Sequence, residues 1–189
     1  MNIGFALCGS FCTFDQAFPV MEALAKEHTL FPIFSTAAYE TDTRFGAAAS
    51  HIARAEQICG RSVIHTIAQA EPIGPKKMLD VLVIAPCTGN TLAKLAHSIA
   101  DGPVTMAAKS HLRNGRPVLI APSTNDALAG AAENIGKLLA RKHYYFVPFH
   151  QDDPQGKPTS MIADYTLLPD AIAAAMDGQQ LQPILYNIV

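Results

Sequence analysis

The sequence predicts a three-layer, doubly wound α/β fold, in which helices cover both faces of a parallel sheet. Short β-rich runs alternate with helical patterns of ten or more residues, an order that is typical of βαβ units. Residues 81–85 (VLVIA) are entirely aliphatic, as expected of a parallel strand that is covered on both faces. The 189 residues contain no repeat and no linker long enough to divide them, so a single domain over residues 1–189 is expected.

The predicted elements follow one another in the order of a flavodoxin/Rossmann-like sheet. Gly60 closes one helical pattern and Pro103 occupies the first turn of another, positions that these residues favour. Strands are predicted for residues 3–8, 30–34, 81–85, 117–121 and 145–149, and an extended apolar tail that suits an interface strand or clasp for residues 181–189. Helices are predicted for residues 15–26, 44–59, 91–100, 103–112, 131–142 and 167–176. The polar loop at 151–160 is expected to be mobile, as a lid or an interface loop.

The composition excludes several classes of protein. Hydrophobic residues make up 49% of the chain and charged residues 16%, which supports a large core and disfavours disorder. The net charge of −2 is spread along the chain and forms no basic stripe of the kind that binds nucleic acid. No apolar run reaches the roughly 18 residues of a membrane span, and no signal peptide is evident, so a cytoplasmic protein is expected. A nearly neutral, apolar-rich chain also tends to form a homo-oligomer.

The cysteines and histidines predict no metal site. Four cysteines stand at spacings that match no zinc pattern, and they are interpreted as reduced core or loop thiols. The seven histidines show no ligand spacing either.

Ligands of open α/β sheets bind beyond the carboxyl ends of the strands, so the residues that follow each strand carry the most information. These residues are small or hydroxylated: Gly9-Ser10, Ser35-Thr36, residues 86–91 and residues 122–126. Hydroxyls and free backbone N–H groups at helix N-termini favour phosphate. A tight turn at Gly9, and a helix or turn cap at Ser35 or Thr36, are equally good interpretations. No G-x-G-x-x-G follows the first strand, which disfavours a dinucleotide site.

The most specific signal is APCTGNTLAKLAHSIADGPV, residues 85–104. The strand ends at Pro86, and Thr88 and Asn90 supply polar groups in the loop that follows. Thr91 is placed to cap the next helix. Alanines keep one side of that helix narrow, so that the sheet or a ligand can approach it closely.

This segment resembles the flavoproteins that include the homo-oligomeric flavin-containing cysteine decarboxylases. Their signature is A-P-x-T-x-N-T-x-A-K-x-A-x-x-I-A-D, and residues 85–101 fill every signature position. The resemblance implies an FMN site between subunits, with its phosphate near the turn after the first strand, Ser35 and Thr88. It places Asn90 and Thr91 near the flavin ring. The cofactor-binding residues expected on these grounds are Gly9, Ser10, Thr13, Ser35, Pro86, Thr88, Asn90 and Thr91.

Five further stretches resemble the B-subunit family of bacterial dipicolinate synthases. They are TRFG (43–46), AEPIGPK (70–76), MAAKSHLRNGRPV (106–118), STNDAL (123–128) and LQPI (181–184). The resemblance implies a part in oxidising a dihydrodipicolinate-type precursor, a small dicarboxylate, to dipicolinate, the spore-core chelator, during sporulation. It also implies a partner, the A subunit of dipicolinate synthase, that carries the NADP domain. The absence of a dinucleotide fingerprint from the present sequence agrees with that division of labour.

Several positions depart from these family patterns. The cysteine decarboxylases hold the substrate carboxylate with P-x-M-N-x-x-M, whereas residues 122–128 have Thr124 and Leu128 in place of both methionines. Those enzymes also use a histidine on the helix after the second strand. His51 lies in that region, but a surface histidine is the favoured interpretation. Phe11 stands where the B-subunit pattern has a histidine, which removes a group that titrates near neutral pH.

Asn125 and Arg113 are the predicted catalytic residues. Asn125 would hydrogen-bond a substrate carboxylate, or else form a helix N-cap pair with Asp126. Arg113 would give a planar dicarboxylate bidentate guanidinium contacts, or else lie in solvent beside a turn. Lys94 is expected to reach solvent or a neighbouring subunit. Cys87 is not expected to act as a nucleophile, because no base is evident near it.

Three functions remain open from the sequence. The first is an oxidoreductase subunit, the B subunit of dipicolinate synthase, which works with a nucleotide-binding A subunit. The second is a stand-alone FMN-dependent decarboxylase, which the altered P-x-M-N-x-x-M segment disfavours. The third is a non-catalytic ligand-binding or assembly subunit that keeps a flavoprotein fold.

Overall fold

The computed structural model describes residues 1–186, so the last three residues of the predicted tail lie outside the described residues. The strands are β1 (Asn2–Leu7), β2 (Thr29–Phe34), β3 (Val81–Cys87), β4 (Val118–Thr124), β5 (Tyr144–Phe146), β6 (Phe149–His150) and β7 (Met161–Ala163). The helices are α1 (Phe14–Ala25), α2 (Thr36–Glu40), α3 (Ala48–Cys59), α4 (Ile67–Ala70), α5 (Gly89–Ala96), α6 (Pro103–Leu112), α7 (Ala132–Leu139) and α8 (Leu168–Met176). Over residues 1–186, no helix is both long enough and apolar enough to cross a membrane.

The sheet confirms the predicted doubly wound α/β architecture. Five strands run parallel in the order β2-β1-β3-β4-β5, which is the flavodoxin-like order. Because these strands are parallel, their carboxyl ends meet at one edge of the sheet. At that edge Ser123 and Thr124 of β4 also pair antiparallel with β7, which in turn pairs with β6. This small antiparallel extension was not predicted, since its strands have only two or three residues each.

The central strands form the core of the protein. All seven residues of β3 are buried, and β1 and β4 are buried along nearly their whole lengths. Such complete burial follows from helices that cover both faces of a parallel sheet. Most of the largest buried side chains come from β1, α1 and β2, among them Phe5, Phe14, Phe18 and Phe34, and Phe146 of β5 joins them.

The structure corrects the prediction of one helix over residues 44–59. That helix, α3, begins only at Ala48, because residues 43–46 form a tight turn instead. The Thr43 N–H donates to the Gly46 carbonyl at 3.0 Å, and the Gly46 N–H donates back at 3.1 Å. Gly46 has a φ of +134°, a conformation that glycine adopts without strain. Residues 44–47, the first four of the predicted helix, therefore lie outside α3.

The structure also corrects the predicted strand over residues 145–149. The segment forms two short strands, β5 and β6, which pair with different neighbours. Pro148 stands between them and has no N–H to donate to a strand ladder.

The described part of the tail folds back on its own chain. The Phe149 N–H donates to the carbonyl of Ile184 at 3.0 Å, and Leu185 forms a parallel bridge to Phe149. The Tyr186 hydroxyl donates to Asp164 Oδ2 at 2.7 Å. Over residues 181–186 the tail therefore acts as a clasp on the β6–β7 pair.

Candidate functional site

The site lies where the connections from β1 and β3 leave the sheet in opposite directions. From β1 the chain crosses to β2 on one side, and from β3 it crosses to β4 on the other. A crevice therefore opens between the carboxyl ends of β1 and β3, where ligands of this fold bind. The Cys8 N–H donates to the Pro86 carbonyl at 3.2 Å and closes the bottom of the crevice. Gly9 follows Cys8 on the β1 side of the crevice, and Thr88 follows the last residue of β3 on the other side.

Two neighbouring cavities share Gly9 and Thr88. We call the first, of about 310 Å³, the Ser35 pocket. It is lined by Gly9, Ser35, Thr36, Ala37, Thr88, Asn90, Thr91, Lys94 and the turn at residues 101–105. We call the second, of about 670 Å³, the Ser123 cleft. It is lined by residues 9–13, 43–45, 123–125 and 160–162 and by Thr88, Asp152 and Lys157.

Two helix N-termini face the Ser35 pocket. The Ser35 hydroxyl accepts from the Ala38 N–H at 3.2 Å and caps α2, which confirms the cap interpretation of Ser35. The Thr88 hydroxyl accepts from the Thr91 N–H at 3.3 Å and caps α5. The Ser35 hydroxyl keeps its own hydrogen, whereas the Thr88 hydroxyl also lies 3.1 Å from Thr91 Oγ1 and shares a hydrogen with it. The first N–H groups of a helix have no acceptor within it. The pocket therefore presents several donors and the positive end of the α5 dipole, an arrangement that suits a phosphate group.

The structure corrects the predicted role of Thr91. The cap of α5 is Thr88, and the helix begins at Gly89, two residues earlier than predicted. Thr91 lies in the first turn, where its side chain is buried and its hydroxyl contacts Cys8 Sγ at 3.3 Å. The helix also ends at Ala96 rather than at residue 100. Thr91 supports the loop from within the core, whereas Asn90 is exposed at the pocket.

The far side of the Ser35 pocket holds an ion pair. Lys94 Nζ, for which solvent or a neighbouring subunit was the expected contact, lies 2.9 Å from the Asp101 carboxylate. The hydrogen bond from Lys94 lowers the pKa of Asp101 below its usual value. Gly102 then caps α6, which begins at Pro103 as predicted. The signature segment thus forms one wall of the pocket and fixes the start of the next helix.

The floor of the Ser123 cleft is made of hydroxyl and amide groups. Ser10 Oγ and Ser123 Oγ lie 2.8 Å apart and join the turn after β1 to the end of β4. Asn125 Oδ1 accepts from the Ser160 hydroxyl at 3.4 Å, and the Asn125 carbonyl accepts from the Thr159 hydroxyl at 2.6 Å. These bonds tie the predicted mobile loop at residues 151–160 to the segment that carries Asn125. Of the predicted residues, the structure brings Gly9, Ser10, Thr13, Thr88 and Asn125 together here.

Asn125 and Asp126 do not cap a helix. Helix α7 begins only at Ala132, and the residue before it, Ala131, provides no side-chain cap. The Asp126 carboxylate instead accepts from the Thr124 hydroxyl at 2.5 Å. With the cap interpretation excluded, the Asn125 side chain is one of the amide groups that line the floor of the cleft.

Three predicted or considered residues lie outside both cavities. Arg113 is at the end of α6, beside Gly74, and the next strand starts only after it, so Arg113 lies at the amino edge of the sheet. The structure thereby separates it from Asn125, and its predicted catalytic role loses its basis. Pro86 is buried within β3 and lines neither cavity. Cys87 is also fully buried, and burial raises the pKa of its thiol, which opposes a nucleophilic role.

His51 is half-buried and lines neither cavity. Its ring packs between α1 and α3, 4.9 Å from the Phe14 ring and stacked on Phe18 at 5.9 Å. Burial lowers its pKa, and its Nε2 atom has no hydrogen-bond partner among residues 1–186. The ring lies beside the turn at residues 43–46 but outside both cavities, so the structure adds no support for an acid/base role of the kind used by the cysteine decarboxylases.

Sequence reasoning missed several lining residues of the Ser123 cleft. Arg44 and Phe45 were assigned to a helix, and Lys157 to a loop without a role. Ser123 was included among the residues after a strand but was given no partner. Arg44, Phe45 and Ser123 lie within two of the resemblance stretches, but no local pattern shows that the two loops and the end of β4 that carry these residues meet. Only the observation that Ser123 follows a strand pointed to the site.

The comparisons with known proteins identify the family and agree with the fold. The flavoprotein family profile matches residues 1–177. The B subunit of dipicolinate synthase from Bacillus subtilis (strain 168) is 47% identical over 187 residues, which cover 98% of this chain and 94% of that protein. The crystal structure of the corresponding B subunit from Bacillus halodurans is 44% identical, has a TM-score of 0.91, and is matched over 100% of this chain and 97% of that one.

A more distant structure shares only the fold. The FMN-dependent cysteine decarboxylase SpaF is 22% identical with a TM-score of 0.69, over 94% of this chain and 95% of its own. The family match and the whole-length identity lead to one conclusion: the chain belongs to the flavoprotein family and, within it, to the group of dipicolinate synthase B subunits.

Proposed function

We propose that this chain works with an NADP-binding A subunit to oxidise a dihydrodipicolinate-type precursor to dipicolinate during sporulation, in the cytoplasm. The reaction removes two electrons and two protons from the dihydropyridine ring, with one hydride passing to NADP⁺ and one proton to solvent. The observation that carries the proposal is the 47% identity to the Bacillus subtilis protein over 98% of this chain. That span includes every strand end at which ligands of this fold bind.

We propose further that the Ser35 pocket binds FMN. The Ser35 and Thr88 hydroxyls and the first N–H groups of α2 and α5 would hold the phosphate, and Gly9 leaves room for it because no side chain stands there. Asn90, exposed at the same pocket, would hydrogen-bond the polar edge of the ring. A bound flavin supplies a two-electron acceptor and donor beside the Ser123 cleft. The chain's own groups orient the phosphate and the ring and limit the access of water.

Substitution of Asn90 by alanine tests the flavin pocket. We expect wild-type protein to take up FMN and retain it through gel filtration. Asn90→Ala should bind FMN about tenfold more weakly, because a ring hydrogen bond is lost. Quenching of FMN fluorescence on titration with protein measures both affinities. Asn134→Ala on α7, which lines neither cavity, is the matched control and should bind FMN as wild type does. A wild-type protein that takes up no FMN would overturn the cofactor proposal.

Reconstitution tests the proposed reaction. We expect this chain, mixed with the A subunit, to form dipicolinate from the dihydrodipicolinate-type precursor and NADP, at a rate well above that of either protein alone. Dipicolinate is followed by its ultraviolet absorbance and NADPH by its own. Equal rates with and without this chain would contradict the proposal. Release of CO₂ from a cysteine-terminated peptide by this chain alone would establish the decarboxylase alternative instead.

A homo-oligomer is part of the same proposal. Ile99, after α5, and Leu139, at the end of α7, are large apolar residues with 47% and 44% of their surfaces exposed, and α5 and α7 pack side by side. Exposed apolar side chains close to each other on the surface favour association. The resulting contact between copies would bring a second copy of the chain towards the signature segment.

A further inference from the structure

Arg44 is a free cation on the wall of the Ser123 cleft. It stands in the turn at residues 43–46, and its guanidinium carbon lies 4.9 Å from the centroid of the Phe45 ring. Arg44 forms no ion pair and no side-chain hydrogen bond with any of residues 1–186. Its five N–H donors therefore face solvent and the cleft, and a guanidinium matches the geometry of a carboxylate.

The other charged groups of the cleft neutralise each other. Lys157 Nζ lies 3.2 Å from Asp152 Oδ2, and both residues line the cleft. Among the described lining residues, Arg44 is thus the one cation without an anionic partner, and it gives the cleft a net positive charge. A cleft with this charge attracts an anionic ligand.

The floor of the cleft offers donors at a second place. Asn125 Oδ1 is occupied by the Ser160 hydroxyl, which leaves the Nδ2 amide of Asn125 free to donate. One hydrogen of the Ser10–Ser123 pair lies between the two oxygens. When Ser10 donates it, the Ser123 hydrogen is available to a ligand; when Ser123 donates it, the Ser10 hydroxyl can also reach Cys12 Sγ at 3.9 Å. These donors come from the ends of β1 and β4, whereas Arg44 comes from the loop between α2 and α3. A ligand that accepted hydrogen bonds from Arg44 and also from the donors at the ends of β1 and β4 would need two acceptor groups at separate positions.

Apolar surfaces complete the cleft. The rings of Phe11 and Phe45 line it together with Met161, and these side chains suit the faces of a flat ring. The cleft also shares Gly9 and Thr88 with the Ser35 pocket, so a ring held here would lie next to a ligand of that pocket.

We propose that Arg44 is the residue that makes this cleft specific for a planar ring with two carboxylates. Arg44 binds one carboxylate through its guanidinium. The Asn125 amide and the Ser10–Ser123 hydroxyl pair bind the other, and the phenylalanine rings contact the faces of the ring. The inference deepens the proposed function, on which it rests for the class of substrate, and it assigns the recognition of the second carboxylate to a residue outside the signature segment.

Binding of two pyridine acids to the full-length chain tests the assignment. Isothermal titration with dipicolinate (pyridine-2,6-dicarboxylate) and with picolinate (pyridine-2-carboxylate) should show that the wild type prefers dipicolinate by about tenfold or more. Arg44→Gln should lose this preference, and Arg44→Lys should keep part of it, because the charge remains but the bidentate contact does not. Arg61→Gln is the matched control, since Arg61 lies 4.2 Å from the Phe31 ring centroid but lines neither cavity.

The possible results separate this inference from the proposed function. Absence of dipicolinate binding by the wild type, or an Arg44→Gln protein that keeps the full preference, overturns the assignment to Arg44 even if reconstitution with the A subunit yields dipicolinate. Conversely, a preference that disappears in Arg44→Gln and persists in Arg61→Gln supports the assignment even if reconstitution fails.

Discussion

Gly74→Ala should lower the free energy of unfolding by about 3 kcal/mol, the upper part of the usual range for overpacking. A Cβ at this position would overlap the backbone carbonyl oxygen of Ser110 on α6 and would lie 2.9 Å from Arg113 Cδ. The backbone of Gly74 is in the right-handed helical region, with a φ of −72°, so alanine meets no conformational penalty there. The cost therefore comes from contact alone. Urea unfolding followed by circular dichroism measures it.

The segment around Gly74 has little freedom to move away from α6. Asn114 Nδ2 donates to the Gly74 carbonyl at 2.9 Å, and the Ser110 hydroxyl donates to the Glu71 carbonyl at 3.0 Å. Gly136→Ala on α7 is the matched control, because a Cβ there meets nothing within 4 Å. That substitution should raise stability by about 0.5–1 kcal/mol, as expected for glycine replaced inside a helix. If both substitutions changed the free energy of unfolding by a similar, small amount, α6 would be shown to move away from residue 74 at little cost, and the prediction would be wrong.

His111 should make the protein lose about 3 kcal/mol of stability between pH 6.5 and pH 4. The side chain is fully buried on α6, and burial lowers its pKa to about 4, despite an opposing hydrogen bond between Nε2 and the Pro117 carbonyl at 3.0 Å. In the unfolded chain the same histidine titrates near pH 6.5. Between these values the unfolded state binds the proton and the native state does not. The stability that His111 contributes is therefore fully present above pH 6.5 and is lost as the pH decreases towards 4.

The His111→Gln variant isolates this contribution. Glutamine keeps an N–H donor in reach of the Pro117 carbonyl but does not titrate, so the difference in unfolding free energy between wild type and variant should shrink by about 3 kcal/mol from pH 7 to pH 4. Urea denaturation at several pH values gives this difference, and the proton resonances of His111 give its pKa directly. A His111 that titrates near pH 6.5 in the native protein would contradict the expectation.

Much of the fold could be predicted because the local signals agreed with the tertiary structure. Proline in the first turn marks the start of α6, and the predicted bounds of this helix match the structure at both ends. The aliphatic run of β3 is buried on both faces, as its composition indicates. The helix over residues 44–59 was predicted too long, since helical periodicity does not reveal the hydrogen bonds between Thr43 and Gly46 that close a turn.

The candidate site was predictable only where topology alone places residues. Gly9, Ser35, Thr88 and Asn125 follow strands of one parallel sheet, so they meet at one edge whatever their side chains do. Arg113 was selected for its chemical type, and that argument does not specify the edge of the sheet at which a residue lies. Arg44 and Lys157 reach the site through loops that lie 35 or more positions from Gly9 in the sequence. Their positions depend on tertiary packing that no local pattern records.

Thr88 has two roles, and this limits the substitutions that the position can accept. The same hydroxyl that caps α5 also lines both cavities, so any substitution at Thr88 acts on folding and on ligand recognition together. Serine, asparagine and aspartate are also good caps, but only the first keeps a hydroxyl to donate to a phosphate. Selection for thermostability and selection for binding therefore both favour threonine or serine at this position. The trade-off between stability and activity that commonly limits engineering of an enzyme site is therefore small at Thr88. The number of residues that position 88 can accept is small as well.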